Sequence, residues 1–310
     1  MKTLLTNSVK EAAKYIKKGE IAAFPTETVY GLGAGAFDER AIKKIYKAKG
    51  RPSDNPLIVH VSNRKDILLL AKVIPATAKK IIKMFFPGPV TIILKKNEII
   101  PNSVTAGLDT IAIRMPSSKI ARDFIKACEV PVAAPSANLS GSPSPTSFIH
   151  VMNDFKGKIP CILIGPDAKY GLESTVIDCT SAIPQILRPG VITLEQLKKI
   201  DKSITYKSKT NKIKSPGQKY KHYAPKGKLQ ISNYKLRIVN ENSGYIGIKK
   251  PLVNNFKYLK MCKDLNDYAK NLFSFFRKCD EMGIQRIYAQ KVEEKGIGLA
   301  IMNRLKKAAV

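Results

Sequence analysis

The sequence has 310 residues and a hydrophobic content of 44%, which is enough for a sizeable core and is not typical of a disordered chain. Its formal net charge of +30 would suit a nucleic-acid partner, but the lysines are scattered and no repeated aromatic and basic stretch is present. Five cysteines without a C-x-x-C pair, with only three histidines, argue against a disulfide framework or a structural zinc site.

The first twenty residues, "MKTLLTNSVKEAAKYIKKGE", place apolar residues at helical spacing between lysines and predict a surface helix. They lack the apolar run of a signal peptide. No stretch of the sequence is long and apolar enough to span a bilayer. We therefore expect a cytoplasmic protein.

Residues 1–201 alternate short apolar runs with amphipathic helical patterns, which predicts an α/β domain with some antiparallel strand pairs. Between the first two strands, "FPTETVYGLG" reads as a strand end that runs into a glycine-rich turn. A closing helix is predicted in "RPGVITLEQLKKID". The predicted strands are "IAAFPT", "LIVHV", "VTIILKK", "IAIRMP", "VPVAAPS", "CILIG" and "STVIDCT", and the predicted helices are "ERAIKKIYKAK", "ATAKKIIKMFF" and "KIARDFIKAC".

The composition changes after residue 201. Residues 202–228 are polar and basic, hold two prolines and two glycines, and show no apolar face, so they predict a linker. Because this linker carries Tyr220, His222 and Tyr223 among its lysines, it is also predicted to fold over a cavity of the first domain as a lid, with the Pro-Gly pair at 216–217 as the bend. The alternative is a solvated spacer. Residues 229–310 then predict a second, smaller α/β domain. Its strands are expected in "LQISNY", "GYIGIK" and "RIYAQKV", and its helix in "DLNDYAKNLFSFFRKCDEMG".

Cationic and amide side chains cluster in "KAKGRPSDNPLIVHV", at residues 47–61. Lys49 and Arg51 are two residues apart, so in an extended turn they would project to the same side, with Asn55 close by. Two cations and an amide suit a polyanion such as a triphosphate. The alternative is a solvated basic turn.

Further polar residues stand at strand ends. His60 lies inside an apolar strand, as either a core residue or a contact to a small substrate. Arg114 ends the strand "TIAIR" and needs an anion, from the protein or from a ligand. The loop "APSANLSGSPSPT" carries Ser136 and Asn138, two residues apart, and could hold phosphate or ribose or act as a linker. Arg188, in "LRPG", is a second arginine at a strand end.

No Walker sequence, zinc motif or Ser/His/Asp arrangement accompanies these residues. A cationic, hydroxyl-lined cavity without a nucleophile favours catalysis by positioning and charge stabilisation, as in phosphoryl or nucleotidyl transfer.

Several of these motifs, in this order, closely resemble the YrdC-like family. They are "PTETVYGLG", "KAKGRPSDNPLIVHV", "FFPGPVTIIL", "IAIRMP", "APSANLSGSPSPT", "STVIDCT" and "ILRPG", followed by "SPGQKYKHYAP", which is similar to the linker of the longer, two-domain members. The resemblance implies a twisted mixed sheet with an open basic cavity, then a linker, then a smaller Rossmann-like α/β domain. The last eighty residues or so resemble the family only in length and general composition.

The resemblance also implies a reaction. L-threonine, bicarbonate and ATP would be condensed to threonylcarbamoyl-adenylate, with release of pyrophosphate. A separate threonylcarbamoyl transferase would then modify adenosine 37 of tRNA. Mg²⁺ would be carried with ATP, because the sequence shows no carboxylate cage for it. Weak contact with tRNA is left open.

The family's motifs assign roles by position. Lys49 and Arg51 would be the catalytic cations, with Lys49 as an extra phosphate contact. The implied threonine-binding residues are Thr28, His60, Arg114, Ala134 and Ser174. The implied ATP-binding residues are Arg51, Asn55, Thr110, Ser136, Asn138, Ser144, Arg188 and Tyr223.

Two other functions use the same kind of domain. One is a double-stranded-RNA-binding or ribosome-associated module that uses the concave basic surface. The other is carbamoyl transfer in a hydrogenase-maturation protein, which would require zinc-finger and acylphosphatase-like segments that this sequence lacks.

Overall fold

A computed structural model describes residues 2–206, 222–236, 241–253 and 255–309, and these residues form two sheets. The strands of the larger sheet lie in the order β1-β8-β2-β3-β7-β4-β6-β5-β9-β10-β11, with parallel and antiparallel neighbours. In chain order they are β1 (Leu4–Thr6), β2 (Ala22–Phe24), β3 (Gly31–Gly35), β4 (Ile58–His60), β5 (Val90–Lys95), β6 (Thr110–Arg114), β7 (Val132–Ala134), β8 (Cys161–Leu163), β9 (Thr175–Asp178), β10 (Gln185–Arg188) and β11 (Thr205–Tyr206).

The helices that accompany this sheet begin at side-chain caps in several cases. Asp38 and Ser118, for example, each accept a hydrogen bond from a backbone N–H in the first turn of the helix that follows. The helices are α1 (Val9–Lys17), α2 (Glu39–Lys49), α3 (Asp66–Leu70), α4 (Ala76–Phe85), α5 (Asn102–Thr105), α6 (Lys119–Cys128), α7 (Phe148–Phe155) and α8 (Leu194–Lys198).

The two faces of the larger sheet are covered differently. Strand residues alternate between them, so Ala22 and Phe24 pack with α1 and α6, while Ala23 packs with α2 and α4. On the first face the α1 and α6 layer covers β2, β7 and β8. Over β4, β6, β5 and β9 the same face carries only the small cluster Ile58, Ile93, Ala112 and Val176. That part of the face borders the cavity described below.

The glycine-rich segment "GLGAG" is strand β3, fully buried, and not the turn that the sequence predicted. A Cβ on Gly33 would lie 2.6 Å from Val132 Cγ1 and 3.0 Å from the Phe24 ring. Because Gly31 and Gly33 have no side chains, the neighbouring strand and the Phe24 ring can pack directly against the backbone of β3. A sequence pattern built on branched side chains cannot detect such a strand.

The second unit is a parallel sheet in the order β12-β15-β13-β14. Its elements are β12 (Lys228–Ser232), β13 (Ser243–Gly247), β14 (Tyr258–Met261), α9 (Leu265–Glu281), β15 (Arg286–Gln290) and α10 (Ile297–Ala308). Its core also takes in Val29, Leu172 and Tyr223, so it is continuous with the first unit. The predicted fold class, a twisted mixed sheet followed by a smaller α/β unit, is confirmed.

The linker predicted over residues 202–228 is covered only in part. Residues 205–206 form the edge strand β11 beside β10, and residue 228 begins β12. The intervening Pro-Gly pair at 216–217 and Tyr220 lie outside the described residues. All five cysteines are buried free thiols. None of the helices in the described ranges combines the length and apolar composition needed to cross a membrane.

Candidate active site

A cavity opens beside the uncovered face of the larger sheet. Strands β4 and β6 run parallel with His60 beside Arg114, so both side chains leave the sheet on this face. Strand β7 places Ala134 beside Ile58 on the same face. The turn before β3 supplies Thr28. Four segments distant in the sequence therefore meet here because of strand register.

Arg114 is held in a buried ion pair. Its Nη2 donates to Glu27 Oε1 at 2.6 Å and its Nη1 donates to Thr28 Oγ1 at 2.8 Å. Both charged side chains are about 95% buried, with exposures of 4% and 5%. Burial raises the pKa of Glu27, but the charge and hydrogen bonds of Arg114 outweigh this effect, and the net pKa is lowered. The sequence left open whether the anion for Arg114 comes from the protein or from a ligand, and the structure shows that the protein supplies it as the Glu27 carboxylate.

His60 is a neutral imidazole in this environment. Burial and the charge of Arg114 lower its pKa to about 3. Its Nδ1 lies 3.1 Å from the Ile58 carbonyl, and the ring meets Phe24 edge-on at 5.8 Å. His60 can therefore offer shape and a polar edge to a ligand, but it is not protonated to the imidazolium cation at neutral pH.

Ser174 and Arg188 bind each other at the start of β9 and the end of β10. Arg188 Nη2 donates to Ser174 Oγ and its Nε donates to the Ser174 carbonyl, both at 3.1 Å. Thr91 lies 2.7 Å from the same hydroxyl. Of the two hydroxyls in "STVID", Ser174 faces the cavity, while Thr175 donates to the Ile192 carbonyl.

Lys49 does not lie in an extended turn. It is the last residue of helix α2, which ends at Gly50 in the left-handed conformation, at φ +58°. Its ammonium donates to the carbonyls of Ser136 and Asn138, and the residue is 3% exposed. Burial, with the charge of Arg51, lowers its pKa well below the usual value. Lys49 thus ties the helix to the 136–144 loop, and its contact with phosphate stays a prediction.

Arg51 and the 136–144 loop form the opposite side of the cavity. Arg51 Nη2 donates to the carbonyls of Asn55 and Pro56 at 3.3 Å. Its Nε has no partner in the described part of the chain. In the loop, Ser136 Oγ donates to Asn138 Oδ1 at 2.5 Å, and Asn138 Nδ2 donates to two loop carbonyls. These hydrogen bonds link the loop to itself, and Ser136 lines the cavity.

Tyr223 closes the cavity from the second unit's side. It is 5% exposed and has φ +69°, a conformation that a tyrosine rarely adopts. Its ring stacks on Phe273 at 5.1 Å, and the guanidinium of Arg304 lies 5.6 Å from the ring centroid. The preceding residue, His222, also lines the cavity, and burial lowers its pKa to about 4.

The structure brings most of the predicted site residues to one cavity. Three of the predicted ATP contacts do not line it: Asn55 lies beneath Arg51, Thr110 is at the far end of β6 from Arg114, and the Ser144 hydroxyl donates to Glu173 Oε1 at 2.6 Å. Their contact with ATP stays a prediction. The predicted residues that line the cavity are Thr28, Lys49, Arg51, His60, Arg114, Ala134, Ser136, Asn138, Ser174, Arg188 and Tyr223.

Sequence reasoning missed two buried carboxylates, Glu27 and Glu173. Glu27 holds Arg114, and Glu173 lines the cavity and accepts from Arg304 Nε at 2.8 Å. A signal for both was present. Each glutamate stands in a mostly uncharged segment, "PTETVYG" or "GLESTVID", where a buried carboxylate requires a cationic partner.

Comparison with known proteins places the chain in a family. The model described as "Telomere recombination", for Sua5, YciO and YrdC proteins, matches residues 14–190. This chain belongs to the Sua5–YciO–YrdC family. The model described as "Threonylcarbamoyl-AMP synthase, C-terminal domain" matches residues 192–310. Together they confirm the predicted resemblance to the two-domain form.

Individual family members are similar over nearly the whole length. A threonylcarbamoyl-AMP synthase of Pyrococcus abyssi is 45% identical over 97% of this chain and 94% of its own length. One from Bacillus subtilis is 42% identical over 97% and 92%. The crystal structure of P. abyssi Sua5 complexed with L-threonine superposes with a TM-score of 0.92 at 41% identity, covering 99% of this chain and 98% of that one.

Proposed function

We propose that this protein is an L-threonylcarbamoyladenylate synthase. It would join L-threonine, bicarbonate and ATP into threonylcarbamoyl-AMP and release pyrophosphate, which makes it a nucleotidyltransferase. The observation that carries the proposal is a single cavity lined both by Thr28 and Arg114, whose charge is paired with Glu27, and by Arg51 and Arg188, whose described hydrogen bonds go to carbonyl and hydroxyl oxygens. The full-length similarity to synthases of this name supports it.

The chemistry requires two bond-forming steps. The neutral threonine amine attacks bicarbonate and forms a carbamate with loss of water. A carbamate oxygen then attacks the α-phosphorus of ATP, and the bond to the β-phosphate oxygen breaks. Arg51 and Arg188 would stabilise the charge that gathers on the pyrophosphate leaving group. His60 and Thr28 would orient the amino acid.

Mg²⁺ fits this site only as an ion that arrives with the nucleotide. Within the described ranges no three His, Cys, Asp or Glu side chains form a metal cluster. Glu173, which lines the cavity, and Glu27, which is buried behind Arg114, are both bound by arginines. The phosphates and water would therefore supply its ligands, and the ion would offset charge on the triphosphate.

Downstream, the product would pass to a tRNA threonylcarbamoyl transferase for modification of adenosine 37. The decisive experiment measures pyrophosphate release from ATP with threonine and bicarbonate present together or singly. We expect release only with both, and a threonylcarbamoyl-AMP peak by mass spectrometry. Release that ignores threonine, or none at all alongside binding of double-stranded RNA, would contradict the proposal.

A further inference from the structure

The second unit contributes a buried arginine to the wall of the cavity. Arg304, on α10, is fully buried. Its Nε donates to Glu173 Oε2 at 2.8 Å and its Nη1 donates to the Pro189 carbonyl at 2.9 Å. Both acceptors belong to the first unit, on the segments that carry Ser174 and Arg188. A fully buried arginine is tolerated only when its charge is paired with a carboxylate and its N–H groups are hydrogen-bonded, as they are here.

Glu173 is the one carboxylate among the described residues that line the cavity. Its two oxygens are used by different partners, Oε2 by Arg304 and Oε1 by the Ser144 hydroxyl. Without Arg304, the buried negative charge of Glu173 would be left to Arg188, whose charge also acts on it, in the part of the cavity that holds Arg51. A polyphosphate in that place would then meet like charge at close range, in surroundings that screen it poorly.

Arg304 also fixes the aromatic wall. Its guanidinium lies 5.6 Å from the centroid of Tyr223, which also stacks on Phe273 of α9 and lies 5.6 Å from the His222 ring. Tyr223 adopts φ +69°, so the backbone does not by itself favour the observed placement. Arg304 and Phe273 are thus the contacts through which the second unit holds the ring at the cavity wall.

We propose that Arg304 is a positioning residue for the nucleotide: it neutralises Glu173 and seats Tyr223, so that the second unit completes the ATP end of a cavity built by the first. This inference rests on the proposed function. It assigns the second unit a larger role in ATP affinity than in threonine affinity, because the contacts of Arg304 lie at Glu173 and Tyr223 and not at Thr28 or Arg114.

The test compares Arg304→Gln with two rescue variants. Calorimetry with Mg·ATP, in the absence of threonine and bicarbonate, measures binding alone. We expect Arg304→Gln to raise the Kd for ATP by about tenfold or more, since an uncompensated like charge at an interface is costly. Arg304→Lys keeps the charge, and Arg304→Gln with Glu173→Gln removes its counterpart. Both should bind ATP within about threefold of wild type.

Lys306→Gln is the matched control. Lys306 stands on the same helix and pairs with Glu294 at the surface, so its loss removes one cation from α10 without touching the cavity. Its ATP affinity should equal that of wild type. Threonine affinity should change much less than ATP affinity in the Arg304 variants and should not change in Lys306→Gln.

Three outcomes would overturn the inference. They are an Arg304→Gln variant that binds ATP like wild type, a double variant as weak as the single one, and an equal loss of threonine affinity. If Arg304→Gln does not fold, an Arg304→Lys or double variant that binds ATP more than about threefold more weakly than wild type overturns the inference, since both retain charge balance. Failure of the proposed function appears separately, as wild-type protein that binds ATP but forms no adenylate.

Discussion

The Glu27–Arg114 pair offers the sharpest test of how the site is built. Glu27→Ala would leave the Arg114 guanidinium about 95% buried and without its carboxylate. Nη1 would retain Thr28, but Nη2 would lose its 2.6 Å partner, and Nε already lacks one in the described structure. Removing one member of a buried pair costs about 3–5 kcal/mol, mainly because the remaining charge stays desolvated.

For a unit of about two hundred residues, that loss corresponds to a fall in Tm of roughly 6–20 °C. Thermal unfolding at pH 7, followed by circular dichroism, measures it. Two controls separate the buried charge from ordinary side-chain loss. Glu27→Leu with Arg114→Met replaces the pair by apolar groups and should recover most of the stability. Asp123→Ala breaks the exposed pair with Lys119 and should leave the transition almost unchanged.

A fall of less than about 3 °C for Glu27→Ala would refute this reasoning, because it would mean that Arg114 finds solvent or another partner at little cost. A double variant that is less stable than either single variant would refute it as well. The expected threonine affinity of Glu27→Ala is also reduced, since Arg114 loses the contact that fixes its orientation.

Three further predictions concern other parts of the cavity. Arg51→Ala should lower the rate of pyrophosphate release by the equivalent of about 2–4 kcal/mol while leaving the thermal transition nearly unchanged, because its contacts are two 3.3 Å hydrogen bonds to carbonyls. Gly190→Ala should weaken threonine binding measured by calorimetry, because a Cβ there would lie 2.4 Å from Thr175 N and 2.8 Å from the Glu173 carbonyl, and would displace Ser174. The pKa of Glu173 is lowered to about 2, because the charges of its arginine partners outweigh the opposing effect of burial. The ionised carboxylate therefore contributes to stability above its usual pKa of 4.5, and this contribution is lost as the pH falls towards 2. The difference in unfolding free energy between wild type and Glu173→Gln should therefore shrink across that range in denaturant titrations, and a constant difference would contradict the assignment.

The amphipathic helices of the first unit could be predicted closely from sequence. The patterns "ERAIKKIYKAK" and "KIARDFIKAC" became α2 and α6 at the expected residues, because each has a capping side chain before it and a clear apolar face. Prediction failed where tertiary contacts decide the structure. Strand β14, with alternate residues exposed, and helix α10, buried through much of its length, were not predicted.

The candidate site shows the same limit. Their positions in apolar strands made Arg114 and His60 candidate functional residues. The register between β4 and β6, which the sequence does not show, places them side by side. The sequence could not reveal that the Lys49 ammonium would donate to backbone carbonyls. Nor could it reveal that Glu173 would pair with an arginine 131 residues further along the chain. Such partners depend on how two units pack, which local patterns do not encode.

The distribution of charge within the cavity supports the proposed placement of the two substrates. Threonine with the neutral amine that the reaction requires carries one negative charge, and Thr28 contacts the charge-neutral pair of Glu27 and Arg114. ATP carries several negative charges, and Arg51 and Arg188 donate only to carbonyl and hydroxyl oxygens in their described contacts. Their charges are therefore not cancelled by a bonded carboxylate, provided that the nearby Glu173 is neutralised by an arginine from the second unit. A nucleotide in the opposite orientation would set its phosphates against a pair with no net charge and leave two desolvated guanidinium groups without an anion, which is the costlier arrangement.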